Sequence, residues 1–277
     1  MKPFGDGRAS HATWAACLLW CVQPPAMALA SAQVPPLLQA TIACSASLFA
    51  MWLWTRWKSL PVFGLDASLA PGMTLGLLFS LRIALIYIAV ATAGPLAMVI
   101  GCFGAIVVIR AWWAWPSRST SRTVGVWMLT AVGLLAGMHG ATLVPAAFAA
   151  GLIWLAEEQV AKDSRLTACG GESVVFYQLI GAAIVLPVAS VVRGENWLGT
   201  TAPLTREALA AQAVVGVAVL ALRWRAEAVT GQTHRLVRLA QIAPVGSLGF
   251  VTLVLGWPGT SLAAACLALT AAARLAA

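Results

Sequence analysis

The sequence predicts an all-α polytopic membrane protein, with ten transmembrane helices arranged as two inverted five-helix repeats. Three observations lead there. Of 277 residues, 61% are apolar and 9% charged, with mean hydropathy +0.88, where soluble domains carry roughly 25% charged residues. Apolar windows of the length that crosses a bilayer, about 20 residues, recur along the whole chain. The cations gather at alternate ends of those windows. A water-soluble enzyme and a disordered chain are both excluded, because so few charged side chains cannot cover a soluble core of this size.

The windows run approximately 12–32, 36–55, 72–92, 95–115, 123–139, 141–161, 173–192, 207–225, 239–257 and 258–275. Pro35-Pro36, Gly94-Pro95, Pro145 and Trp257-Pro258 supply the breaks, since proline cannot continue a helix from the preceding turn. The eighth window is the weakest, its uncharged stretch running only from Ala208 to Leu222. The first window has a competing reading. Lys2 and Arg8, an apolar stretch through Leu29 and the small-residue run Ala28 to Ala32 imitate a secretory signal. Pro24-Pro25 inside the stretch argues against it, and removal would leave nine helices. The sequence favours retention.

Orientation follows from the positive-inside rule. With a cytoplasmic N-terminus, fourteen cations fall on the inner side, from Lys2 and Arg8 through Arg56, Lys58 and Arg110 to Arg274. Only Arg193 and Arg206 fall outside, and Arg82 is left within the membrane. Both termini are expected in the cytoplasm of a bacterial inner membrane, an Arg- and Ala-rich composition suggesting a GC-rich bacterial genome. The net charge of +8 is thereby accounted for by lipid and topology, and no nucleic-acid partner is implied. Trp52, Trp54 and Trp57, then Trp112, Trp113 and Trp115, mark the inner ends of the second and fourth helices, where amphipathic rings favour the headgroup layer. The cysteines, Cys17, Cys21, Cys44, Cys102, Cys169 and Cys266, form no CxxC pair or Cys/His ligand pattern. Neither a metal nor another cofactor is expected.

The chain divides into residues 1–139 and 140–277. Leu18-Leu19-Trp20 in the first half matches Leu152-Ile153-Trp154 in the second. The third and eighth windows both end in a short Thr/Gly segment, Ala91 to Gly94 and Val229 to Gly231. The helix after each closes with Trp-Pro, at Trp115-Pro116 and Trp257-Pro258. An odd number of helices per half forces opposite orientations, the plan of secondary transporters with midplane substrate sites.

The stretch Phe176-Tyr177-Gln178-Leu179 through Leu186-Pro187, and Trp224-Arg225-Ala226 with Gly231 and Pro244, resemble the seventh to ninth helices of EamA-type permeases. Leu152-Ile153-Trp154 resembles the opening of their sixth helix. These permeases belong to the drug/metabolite transporter superfamily and are built from two five-helix repeats. The resemblance covers nearly the whole chain and implies export of amino acids or other small metabolites. The chain departs from the family pattern at Ala243, where a glutamate is usual, and at the Trp-rich end of the fourth helix, where an acidic residue is usual.

Arg82 lies at the centre of the third window. A charge there costs at least about 2.5 kcal/mol, so it must face the bundle interior. There it serves either as a fork for an anionic substrate group or as a structural pair. Of the adjacent Glu157 and Glu158, Glu158 is spaced i,i+4 from Lys162 as a surface pair. Glu157 is the better inward residue and the candidate for proton coupling; both carboxylates lying in the headgroup layer is the alternative. Gln23 with Pro24-Pro25 opens the first helix near mid-membrane, lining a cavity or only shaping a kink. Trp20, Trp154, Tyr87, Tyr177 and Gln178 are candidates for a mixed aromatic and polar substrate pocket. His139 reads as a turn residue between the halves.

The expected function is therefore alternating-access export of a small metabolite such as an amino acid, with lipids and protons as further partners. Two other classes stay open. One is a non-transporting scaffold, favoured by the missing acidic motifs. The other is a membrane-embedded transferase, for which only Glu157-Glu158 and Asp163 offer acidic groups, with Asp66, Glu195 and Glu207 scattered. The sequence leaves monomer and homodimer, substrate, direction and coupling ion undetermined.

Overall fold

The computed structural model describes residues 14–59, 69–113, 120–137, 144–168, 171–197, 202–227 and 233–276. Among these residues the chain is helical throughout, with no strand. The long helices are α1 Trp14–Ser31, α2 Pro36–Trp57, α3 Leu69–Ala93, α4 Pro95–Trp113, α5 Thr120–Gly137, α6 Val144–Lys162, α7 Gly171–Val192, α8 Pro203–Glu227, α9 Thr233–Leu255 and α10 Thr260–Ala276. A five-residue helix, Ser164–Ala168, joins α6 to α7. Each apolar window of the sequence carries one of the long helices. Among the described residues, four stretches are long and apolar enough to cross a membrane by length and composition: Trp14–Ser31, Pro36–Trp57, Leu69–Ala93 and Ser173–Val192. The exterior is apolar as well. Leu53, Leu77, Ile184, Val188, Leu253 and Leu267 all project outward, a surface compatible with lipid and hostile to water.

Proline and glycine set the breaks as their chemistry requires. Pro36 opens α2 at a position where its missing N–H costs nothing. Gly94, at φ +86°, turns α3 into α4 through a backbone conformation that L side chains rarely adopt. Within α1, Pro24 and Pro25 supply no N–H, and the chain bends just before them. Cys21 and Val22 donate to the carbonyls of Leu18 and Leu19, both at 3.1 Å, a tighter i→i−3 turn. Pro187 and Pro244, by contrast, are absorbed inside α7 and α9 without ending them.

The packing follows a rule of five. α3 packs on α6 and α7, and α8 packs on α1 and α2. α4 packs on α5 and α6, as α9 does on α10 and α1. The pairs α2–α7, α4–α9 and α5–α10 each map onto themselves. Adding five to every helix number, and counting past ten from one again, thus exchanges these contacts, whereas α4–α10, α3–α4, α1–α3 and α1–α4 have no counterpart of similar size among the described residues. The buried core contains Cys44, Phe79, Tyr87, Met98, Phe103, Leu179 and Leu186, with Trp20 edge-on to Phe103 at 5.2 Å between ring centres.

Glycines let several helices approach closely. A Cβ on Gly181 would stand 2.5 Å from the backbone carbon of Gly76, and one on Gly76 would stand 2.7 Å from the Tyr177 carbonyl oxygen. α3 and α7 therefore meet backbone to backbone. On the α1–α9 contact, a Cβ on Gly246 would come within 2.6 Å of Cys21 Sγ.

Candidate functional site

A cavity of about 210 Å³ lies between α1, α2, α3, α4 and α8, with single contributions from α6, α7 and α9. Its wall is mainly apolar and rich in sulfur and aromatic groups: Cys17, Trp20, Met27, Cys44, Phe79, Met98, Cys102 and Phe103. Gln23, Ser47, Arg82, Tyr87 and Gln212 supply the polar groups. The lining residues of α2, α3 and α4 lie near the middle of those helices, so the cavity sits at mid-depth of the bundle.

Arg82 is 9% exposed and its guanidinium carbon stands 4.6 Å from the centre of the Phe79 ring, one turn earlier on α3. The ring face offsets part of the cost of burying the charge. Bending α1 at Cys21-Val22 brings Gln23 to the same cavity, where its Nε2 donates to the Gln212 carbonyl at 3.3 Å. That bond links the first half of the chain to the second.

One end of the cavity is roofed by a closed set of buried amides. Tyr87 Oη donates to Gln212 Oε1 at 3.0 Å. Gln212 Nε2 donates to the Ala26 carbonyl at 3.0 Å and to Gln39 Oε1 at 3.4 Å. Gln39 Nε2 donates to Ser31 Oγ at 3.1 Å and to the Val34 carbonyl at 3.0 Å. Gln212 and Gln39 are almost fully buried, and leaving such groups unpaired would cost about 1–3 kcal/mol each. Both donors and the acceptor of the Gln212 amide are used, so it holds α1, α2, α3 and α8 at one point.

Trp20, Gln23, Arg82 and Tyr87 thus line one cavity. Tyr177 and Gln178 are buried on α7 but do not line this cavity, and the Tyr177 ring lies against Gly72 of α3. Trp154 and Glu157 belong to α6, whose Ile153 lines the cavity; their side chains, like that of Glu158, lie outside the described residues. His139, Cys169 and Asp66 lie outside them too. Gln212, Gln39 and Ser47 were missed by sequence reasoning. Gln212 sits in the weakest window, where a central amide reads as a defect in the span, although an intramembrane polar residue is itself a signal of a partner or a site.

Asp163 has a local task. Its Oδ1 accepts the Arg165 backbone N–H at 2.9 Å, and Arg165 Nη2 donates to Oδ2 at 2.9 Å, capping the short helix Ser164–Ala168. The Arg165 side chain bonded to it holds the Asp163 carboxyl below the usual carboxylate range.

No family model and no curated protein matches the sequence. Thirteen chains of solved structures match the fold. One, described only as a crystal structure of a protein, aligns with a TM-score of 0.67 over 97% of this chain and 96% of its own length, at 18% identity. The architecture therefore has a nearly full-length counterpart in a crystallised protein, and at that identity the likeness speaks for fold alone.

Proposed function

We propose that the chain is a multi-pass secondary transporter of the bacterial inner membrane. Ten membrane-crossing helices form two inverted repeats, residues 1–139 and 140–277, that rock about the cavity and export a small metabolite such as an amino acid. The observation that carries this reading is the mid-depth cavity with a buried Arg82, built from helices of both halves. It is supported by the rule of five in the packing, since two five-helix units of equal plan and odd helix number run in opposite senses across a bilayer. The likeness of the second half to EamA-type permeases of the drug/metabolite transporter superfamily points the same way. In this reading both termini are cytoplasmic, Trp20, Gln23, Arg82 and Tyr87 meet the substrate, and Glu157 is the candidate for proton exchange.

The test is flux in proteoliposomes against a panel of amino acids and small organic acids, with and without a pH gradient. Substrate-dependent flux is expected. Arg82→Ala should lower it by about tenfold to a hundredfold at low substrate, the loss of a charged hydrogen-bonding contact being about 1.5–3 kcal/mol. Specific binding without flux would favour a scaffold. Normal flux in Arg82→Ala would remove that side chain from the mechanism.

A further inference from the structure

Two helices of the bundle begin without a cap of their own. α2 starts after Pro35, which has no side-chain oxygen to offer and makes no capping bond. α8 starts after Ala202, which has none either. The first N–H groups of a helix need partners, and both helices find them in the other half of the chain.

Glu195, on the segment between α7 and α8, supplies the cap of α2. Its Oε1 accepts the Leu37 N–H at 3.2 Å and its Oε2 accepts the Leu38 N–H at 2.8 Å. Ser190 Oγ donates to the same carboxylate at 2.8 Å and is held in turn by Trp197 Nε1 at 3.0 Å. The Glu195 side chain is 6% exposed, with Arg193 Nε 4.0 Å away. A carboxylate at a helix N-terminus is favoured both by the hydrogen bonds and by the helix dipole.

Gln33, on the turn between α1 and α2, does the reciprocal service for α8. Its Oε1 accepts the Ala202 N–H at 2.8 Å and the Thr205 hydroxyl at 2.9 Å. The start of α2 is thus closed by a residue held at the end of α7, and the start of α8 by a residue of the turn before α2. Both bonds sit at the end of the bundle that the charge count assigns to the outside, beyond the Gln212 roof of the cavity. Separating the α1–α2 turn from the segment that joins α7 to α8 uncaps both helices at once. The Gln33–Ala202 bond is exposed, and the Glu195 carboxylate, 6% exposed, meets water only as the clasp parts.

We infer that Glu195 and Gln33 form a releasable clasp that keeps the outer end of the cavity shut, and that parts when the cavity opens outward. The inference rests on the transport reading for its purpose, though its geometry is independent of any substrate.

Cysteine reactivity tests it in the full-length protein. Right-side-out vesicles are treated with a membrane-impermeant maleimide, and modification of Cys44 and Cys102, both in the cavity wall, is read by peptide mass spectrometry. Glu195→Ala is expected to raise labelling several-fold over wild type, and Gln33→Ala to raise it less. Wild-type labelling in a Glu195→Ala protein that keeps its elution profile and unfolding temperature would overturn the clasp. Should Glu195→Ala fail to fold, Gln33→Ala decides: increased labelling supports the clasp and unchanged labelling overturns it. Clasp-dependent labelling with no flux of any substrate would count against transport and leave the clasp standing. Flux with clasp-independent labelling would do the reverse.

Discussion

The α3–α7 and α2–α8 contacts exchange under the rule of five, yet they are built from different materials. At α3–α7, Gly76 and Gly181 bring two backbones together with no room for a side-chain atom between them. At α2–α8 the closest glycine, Gly216, faces Ser47 Oγ and Gln23 Nε2 across 3.3 and 3.6 Å from the position of an added Cβ. Around it lie the amides of Gln23, Gln39 and Gln212, the cavity, and at its end the Gln33 cap of α8, with the Glu195 cap joining α2 to α7 beside it. A dry contact of two backbones can pivot but is costly to separate. A contact made of hydrogen bonds next to a wet rim can be exchanged for water. In the proposed transport cycle this difference would make α3–α7 the pivot and α2–α8 the opening.

The largest effect is expected at the pivot. Gly181→Val puts new atoms where the Gly76 backbone already stands at 2.5 Å, and overpacking of this kind costs about 1–3 kcal/mol or more. The variant should show the greatest fall in unfolding temperature in detergent; an unchanged value would mean that α3 and α7 do not meet as closely as described. Gln212→Leu comes next. It leaves the Tyr87 hydroxyl, the Ala26 carbonyl and the Gln39 carbonyl oxygen without their partner, a loss of about 1–3 kcal/mol, and should loosen α8 without releasing α3 from α7. Hydrogen exchange confined to α1, α2 and α8 would sharpen the comparison, and exchange spread over α3 and α7 would break it.

Tyr87→Phe leaves one buried acceptor, Gln212 Oε1, without its donor and should cost about 1 kcal/mol, the low end of that range, visible as a small drop in unfolding temperature. Gly216→Ala should be the mildest for stability, within about 0.5 kcal/mol, because its neighbours are side-chain ends. The same methyl narrows the cavity between Ser47 and Gln23, so flux should fall while the unfolding temperature holds. Equal effects of Gly216→Ala and Gly181→Val on stability would erase the distinction between the two crossings.

Much of the architecture was legible from local chemistry. Gly94-Pro95 and Pro35-Pro36 mark helix boundaries because the φ of glycine and the missing proton of proline act within one or two residues. The bend before Gln23 follows from Pro24-Pro25 for the same reason, and the burial of Arg82 follows from the cost of exposing a charge to lipid. Contacts between the halves were not legible. Nothing near Pro35 announces that its cap will come from Glu195, which the sequence leaves among scattered acids. Nothing near Gln212 announces Tyr87 as its partner 125 residues away. Tyr177 shows the same limit: nothing in its own stretch announces that Gly72 of α3 will lie against its ring.

Distances between spin labels on the lipid-facing surface test the central claim most directly. One pair replaces Ile42 on α2 and Leu204 on α8; the other replaces Leu77 on α3 and Ile184 on α7, all four side chains being exposed. On adding Gln33→Ala, the Ile42–Leu204 distribution should gain a longer component while the Leu77–Ile184 distribution stays as it was. A shift of the Leu77–Ile184 pair with Ile42–Leu204 unchanged would contradict the assignment of pivot and opening.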